Sequence, residues 1–290
     1  MKGEEREEKP IRNRKRGEKL MVNRNLWVWG YVMDRIPGKV PFLPFQSYCS
    51  LETACSYFGA ENAVFMNSTH SMESLNDQLF GYLKNCRQVI CGLEHGHYLE
   101  AAERVSDFSL SHPNVEGAVI DDFLDEVGDY YKGPSAGMPP EELKAIQQAL
   151  KKHNPALKLY VVRYTRQSKE DLLPYLDYFD VLNLWVWHST RDFWEASYLD
   201  EIAKFRKLYR KPIMQGLFIH HYGFCDNEQP PMDPELMNIQ CERIGAELRQ
   251  GHIDSWCLLQ NGWLSLPSHR ATVKVLKDYL DWHYGTTTFR

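Results

Sequence analysis

Continuously apolar runs, rich in β-branched and aromatic residues, alternate along this chain with segments whose apolar positions recur at helical spacing. The runs are Leu26 to Met33, Asn62 to Asn67, Gln88 to Leu93, Glu116 to Asp122, Leu157 to Arg163, Asp180 to Trp187, Pro212 to Ile219 and Asp254 to Gln260. Helices are expected near 50–58, with Ser50 as N-cap, then over 71–83, 98–110, 140–152, 169–178, a segment ending at 209, 233–250 and 267–283. A serine cap accepts from an otherwise unpaired N–H. The Pro139-Pro140 pair suits a helix start, where the missing proline N–H is not needed. Strands that are apolar throughout, rather than alternating, belong in a parallel sheet covered on both faces. Eight βα units within 290 residues predict a single (β/α)8 TIM barrel, occupying residues 23–290. A doubly wound open sheet would want a glycine-rich phosphate turn after its first strand, and none follows Leu26 to Met33.

A barrel of this kind builds its site at the C-terminal strand ends. That rule gathers Tyr31, Asp34 and Arg35; Asn67 and His70; Glu94, His95 and His97; and Asp121, Asp122, Asp125 and Glu126 on one rim. The later strands add Arg163 and Tyr164; Trp185, Trp187 and His188; Gln215, His220, His221 and Tyr222; and Gln260, Asn261 and Trp263. The opposite rim carries ordinary turn residues such as Asn114, Asn154 and Lys211.

Asp121-Asp122 is the sharpest feature. Two carboxylates directly after an apolar strand cost stability unless water or a partner meets them. Close carboxylates push each other's proton affinities apart, giving one acid and one base. Side chains alternate along a strand, so one aspartate is expected on the barrel axis unless a twist at the strand end brings both into the mouth. The structural alternative is that one of them pairs with Arg163. Glu94 is the nearest candidate for a further catalytic carboxylate. Arg163, Tyr164, Trp187, His188, Gln215, His220, Gln260, Asn261 and Tyr31 are the candidate substrate-binding residues.

The connection from Phe123 to Pro139 is long enough to be a binding loop, and Tyr130-Tyr131 with nearby glycines suggests an aromatic flap over the mouth. The segment 220–233 could form a second wall. Trp27 and Trp29 share parity in the first run and read as core, whereas Trp187, at a strand end, is placed to meet a ligand.

Composition narrows the picture. Apolar residues make up 43% and charged residues 25%, which are ordinary globular values. The formal net charge of -5 does not indicate a general nucleic-acid-binding surface. The 8 Trp, 16 Tyr and 13 Phe suit stacking on a sugar as well as a core. No stretch approaches the about 18 consecutive apolar residues of a membrane span. Seven cysteines without regular spacing argue against a disulfide framework and for a reducing, cytoplasmic setting. Residues 1–22, densely charged with mixed sign, read as a disordered extension rather than a signal peptide.

No cofactor-binding motif is present: there is no P-loop, GxSxG or HExxH. His95-x-His97 beside Glu94, with His220-His221 and the aspartates, could supply metal ligands. A metal-dependent lyase, isomerase or hydrolase is therefore one alternative function, although no residue is assigned to a metal.

The stretch EGAVIDDF resembles the fourth-strand segment of glycoside hydrolase barrels. In family 18 a hydrophobic run leads into DxxDxDxE. In the N-acetylhexosaminidases of family 84 and their hyaluronidase-like relatives it leads into an adjacent acidic pair. The family 84 likeness implies substrate-assisted hydrolysis, with Asp121 orienting the substrate's acetamido group and Asp122 protonating the leaving oxygen. Bacterial barrel proteins with the same DDF segment are also similar, a likeness that carries no activity. Two-carboxylate retaining barrels usually place a nucleophile after the seventh strand, where this chain has Gln215 and His220, so the two-carboxylate mechanism would need Glu94 or Asp34. The expected function is a glycoside hydrolase acting on a carbohydrate. A carbohydrate-binding barrel without catalysis is the other alternative.

Overall fold

The computed structural model of the chain describes residues 24–33, 49–127, 131–222 and 230–285. Its strands are β1 (Leu26–Gly30), β2 (Asn62–Phe65), β3 (Gln88–Gly92), β4 (Val115–Ile120), β5 (Glu126–Val127), β6 (Tyr131–Lys132), β7 (Lys158–Tyr164), β8 (Val181–Trp185), β9 (Ile213–Phe218) and β10 (Ser255–Leu259). Eight of them close into a barrel in the order β1-β10-β9-β8-β7-β4-β3-β2, each pair parallel. β5 and β6 form an antiparallel hairpin outside it. The chain is thus the (β/α)8 TIM barrel that the alternation predicts.

Helices cover the outside: α1 (Leu51–Phe58), α2 (Asp77–Phe80), α3 (Tyr98–Phe108), α4 (Pro140–Leu150), α5 (Tyr198–Tyr209), α6 (Pro234–Gln250) and α7 (Arg270–Tyr284). Two expected helices take other forms. The 71–83 stretch breaks into short 3-10 turns around α2, because Ser71 and Asn76 accept from the N–H groups of Glu73 and Leu79 and restart the turn locally. Residues Glu170–Tyr178 form a 3-10 helix with Pro174 inside, where an α-helix would lose a hydrogen bond. Ser50 does sit at the N-cap of α1, but its hydroxyl accepts from Met33 N–H at 3.0 Å and donates to Glu52 rather than capping the helix.

β1, β2, β8 and β9 are buried at every position, as expected of strands covered on both faces. Trp27 meets Tyr160 at 6.5 Å and Trp29 meets Trp185 at 5.9 Å, so the inward residues of β1, β7 and β8 fill the interior. Gly216 makes room for that layer: a Cβ there would lie 2.0 Å from the Trp185 ring. Gly216 therefore faces inward, and by alternation Gln215 faces the helices.

Candidate active site

β4 ends at Ile120, one residue before the acidic pair. Asp122 and Leu124 then take left-handed conformations, with φ of 47° and 54°. Such angles are unfavourable for residues with a Cβ, and the surroundings hold them in place. Phe123 N–H donates to Val162 O at 3.1 Å. Ser135 Oγ accepts from Leu124 N–H at 3.0 Å and donates to Asp122 O at 3.1 Å. The base of the long connection is thus pinned to the strand end. Tyr130 and the Tyr131 side chain, the expected flap, lie outside the described residues, as do Asp34, Arg35 and residues 223–229 of the expected second wall.

The turn brings both aspartates, half-buried, to the barrel mouth. Asp122 N–H donates to Asp121 Oδ1 at 3.0 Å, and the Tyr164 hydroxyl donates to Asp122 Oδ1. Burial raises the Asp121 pKa well above the ordinary carboxylate range. The charges of Asp122 and Asp125 add to this, and the Asp122 N–H bond only partly offsets it. Asp121 therefore holds a proton more tightly than a free carboxyl does.

Four phenols sense this charge. Burial raises Tyr31, Tyr98, Tyr164 and Tyr222, and Asp121 adds to the effect on each. They come from the ends of β1 and β7, the start of α3 and the segment after β9. The wall is aromatic almost throughout. Tyr31 stacks on His70 at 6.2 Å, His70 meets His95 at 6.1 Å, and His95 meets Tyr98 at 6.4 Å. Across the mouth, Tyr164 meets Trp187 at 4.8 Å, Trp187 meets Phe218 at 6.4 Å, and Phe218 meets Tyr222 at 5.1 Å. Burial, reinforced by His70, lowers the His95 pKa and favours its neutral form, although Asp122 opposes this. Arg166 lies 4.9 Å from both the Tyr164 and Trp187 ring centroids and pairs with Asp125 at 2.6 Å, bracing the rim from behind.

Several sequence candidates are committed elsewhere. Arg163 does not pair with the acidic pair: its guanidinium donates to Phe123 O at 3.0 Å and Ser168 O at 2.9 Å, on the face opposite to Tyr164. Gln215 donates to Leu184 O and Gly216 O and accepts from Tyr198 of α5. Asn261 accepts from Tyr31 N–H and donates to Tyr31 O and Cys49 O, joining the end of β1 to the end of β10. Glu94 Oε2 accepts from Met72 N–H at 2.7 Å. His188 is exposed on a turn, and His97 is exposed at the start of α3. His220 is buried against Trp263 and contacts His269. Among the described residues, no three His, Cys, Asp or Glu side chains converge as a metal site. The mouth thus unites Asp121, Asp122, Tyr31, Tyr164, Trp187 and Gln260.

Sequence reasoning passed over Tyr98, Arg166 and His269. Tyr98 opens a helix rather than ending a strand. Arg166 stands beyond its strand, and His269 is brought to the wall only by the 3-10 turn before α7.

No family model matches the chain, and no curated protein matches it in sequence. Solved structures do match in fold. A family 128 (subgroup I) endo-beta-1,3-glucanase from Amycolatopsis mediterranei superposes with a TM-score of 0.58 at 8% identity, covering 88% of this chain and 98% of that one. A family 5 mannosidase from Rhizomucor miehei gives 0.52 at 12% identity, covering 80% and 86%. A beta-D-glucuronidase from Dictyoglomus thermophilum gives 0.53 at 14% identity, covering 79% of this chain but only 46% of its own length. The structural neighbours are glycoside hydrolase barrels, and at these identities they establish the fold.

Proposed function

We propose that this protein is a glycoside hydrolase whose acid is Asp121 and whose orienting carboxylate is Asp122. The observation that carries the reading is the pair itself. At the end of β4, a carboxyl whose proton affinity is raised by burial stands beside a second carboxyl group clamped by the Tyr164 hydroxyl. Asp121 would protonate the glycosidic oxygen as the anomeric C–O bond breaks. Asp122, fixed by Tyr164, would accept a hydrogen bond from the substrate group that approaches the anomeric carbon. These roles reverse those implied by the family 84 resemblance, because burial raises proton affinity at Asp121. Glu94 and Asp125 already hold Met72 N–H and Arg166. That favours a substrate-assisted route over one needing a separate carboxylate nucleophile, and an N-acetylhexosaminide as substrate class. The fold neighbours act on carbohydrates, and the aromatic wall suits a sugar ring. A cytoplasmic location, motivated by the scattered cysteines, is part of the same proposal.

The test is hydrolysis of a panel of 4-nitrophenyl glycosides that includes the N-acetylhexosaminides. Turnover of at least one by the wild type, and its loss in Asp121→Asn and Asp122→Asn with the fold intact, is expected. Turnover unchanged in both variants would remove the pair from the chemistry.

A further inference from the structure

The wall beside Asp121 contains a polar pair with unfilled valences. The Tyr222 hydroxyl accepts two hydrogen bonds, from Trp263 Nε1–H at 2.7 Å and from Gln260 Nε2–H at 3.3 Å. A phenol has one proton to donate. With two donors on its oxygen, that proton is directed away from both. The Tyr222 ring continues the aromatic wall through Phe218 and Trp187 to Tyr164, whose hydroxyl donates to Asp122, so the pair stands on the same wall of the mouth as the acidic pair's clamp. The other end of the Gln260 amide is unsatisfied: Oε1 is buried without a hydrogen-bond partner, on a residue 5% exposed. Leaving a buried carbonyl unpaired is costly, and such an atom in a native protein calls for a ligand or another explanation.

The surroundings hold the pair still. Trp263 stacks on His220 at 3.9 Å with an interplanar angle of 12°. His220 Nδ1 contacts His269 Nε2 at 2.9 Å. Burial lowers the His269 pKa to about 4, which favours the neutral form of that ring. Phe218 packs against the Tyr222 ring.

A donor O–H and an acceptor C=O side by side match a group that both accepts and donates. A sugar hydroxyl is such a group. We propose that Tyr222 and Gln260 read one hydroxyl of the sugar ring held against Asp121, Tyr222 donating to its oxygen and Gln260 Oε1 accepting its proton. Gln260 then determines specificity. A sugar that lacks this hydroxyl, or carries it in the opposite configuration, leaves the carbonyl unpaired and is rejected. This rests on the reading of the mouth as a carbohydrate site.

The test uses the full chain carrying Asp121→Asn, so that binding is separated from turnover. Methyl glycosides of glucose, galactose, mannose and N-acetylglucosamine are titrated by tryptophan fluorescence and ligand-observed NMR, followed by the monodeoxy derivatives of the tightest binder. One deoxy position is expected to weaken binding about 10- to 100-fold. Adding Gln260→Ala or Tyr222→Phe should weaken the parent sugar similarly and weaken that deoxy sugar little further. Parent and deoxy sugars weakened equally by the two substitutions, or unaffected by them, would overturn the proposal. So would failure of every glycoside to bind. Tyr222→Phe keeps the ring packing, so it tests the hydroxyl even if Gln260→Ala folds poorly. Wild-type turnover, measured alongside, separates the two readings. The deoxy pattern without hydrolysis keeps the pair and removes the catalysis, whereas hydrolysis without the pattern does the reverse.

Discussion

Asn261→Ala tests whether the rim amide at the end of β10 serves the fold or a ligand. The side chain accepts from Tyr31 N–H at 3.0 Å and donates to Tyr31 O at 3.0 Å and Cys49 O at 2.6 Å. All three partners are main-chain groups, and residue 261 is 0% exposed. The amide fills the notch left by Gly30, where a Cβ would fall 1.7 Å from Asn261 Oδ1. Truncation orphans the Tyr31 N–H, at about 1–3 kcal/mol, and deprives two carbonyls of a donor, at about 0.5–1.5 kcal/mol each. The expected loss of about 2–6 kcal/mol is a large part of a typical total of about 5–15 kcal/mol. Urea unfolding of wild type and variant measures it as a lower midpoint at unchanged slope. A loss below about 1 kcal/mol, with weakened sugar binding instead, would refute the structural assignment and return Asn261 to the binding set.

Tyr164→Phe removes the hydroxyl that holds Asp122; kcat on a turned-over glycoside should fall about 10- to 100-fold, and an unchanged kcat would dismiss the clamp. Asp121→Asn should alter the pH dependence of stability. Because the folded pKa is raised, the stabilisation from the protonated form is complete below the ordinary carboxylate range and is lost as pH rises through the folded value. The variant should lack that decline and be the more stable protein on the alkaline side, and parallel wild-type and variant melting curves from acid to neutral pH would contradict this. Gly216→Ala forces a Cβ to 2.0 Å from the Trp185 ring. Overpacking of that kind should lower the melting temperature by roughly 3–10 °C and change near-ultraviolet circular dichroism, and an unchanged spectrum would mean that the ring is not fixed there.

The barrel was legible because strands covered on both faces must be apolar throughout, a pattern that a single sequence displays directly. The acidic pair was legible because the fold assigns chemistry to the strand end where it stands. Its geometry was not: the left-handed turn at Asp122 and Leu124 depends on Ser135 and Val162, which are distant in sequence. Pleat direction explains much of the rest. Tyr164 faces the mouth, so Arg163 must face the helices, and the same alternation turns Gln215 outward opposite Gly216. Asn261 looked like a pocket residue because its type and position fit one, and only the closure of the barrel shows its amide engaged by Tyr31 and Cys49. Of Tyr222, Gln260 and Trp263, each was visible alone, but their hydrogen bonds join different strand ends and have no local pattern.

The central claim is that Asp121 donates the proton to the departing oxygen. It is tested most directly by the leaving-group dependence of Asp121→Asn on aryl glycosides of one sugar. A dinitrophenolate leaves without protonation, whereas a methoxyphenolate needs the acid. Near wild-type bond cleavage is expected with the activated substrate, and a loss of about 100- to 10,000-fold with the poor one. Equal loss on both substrates, or no loss on either, would contradict it.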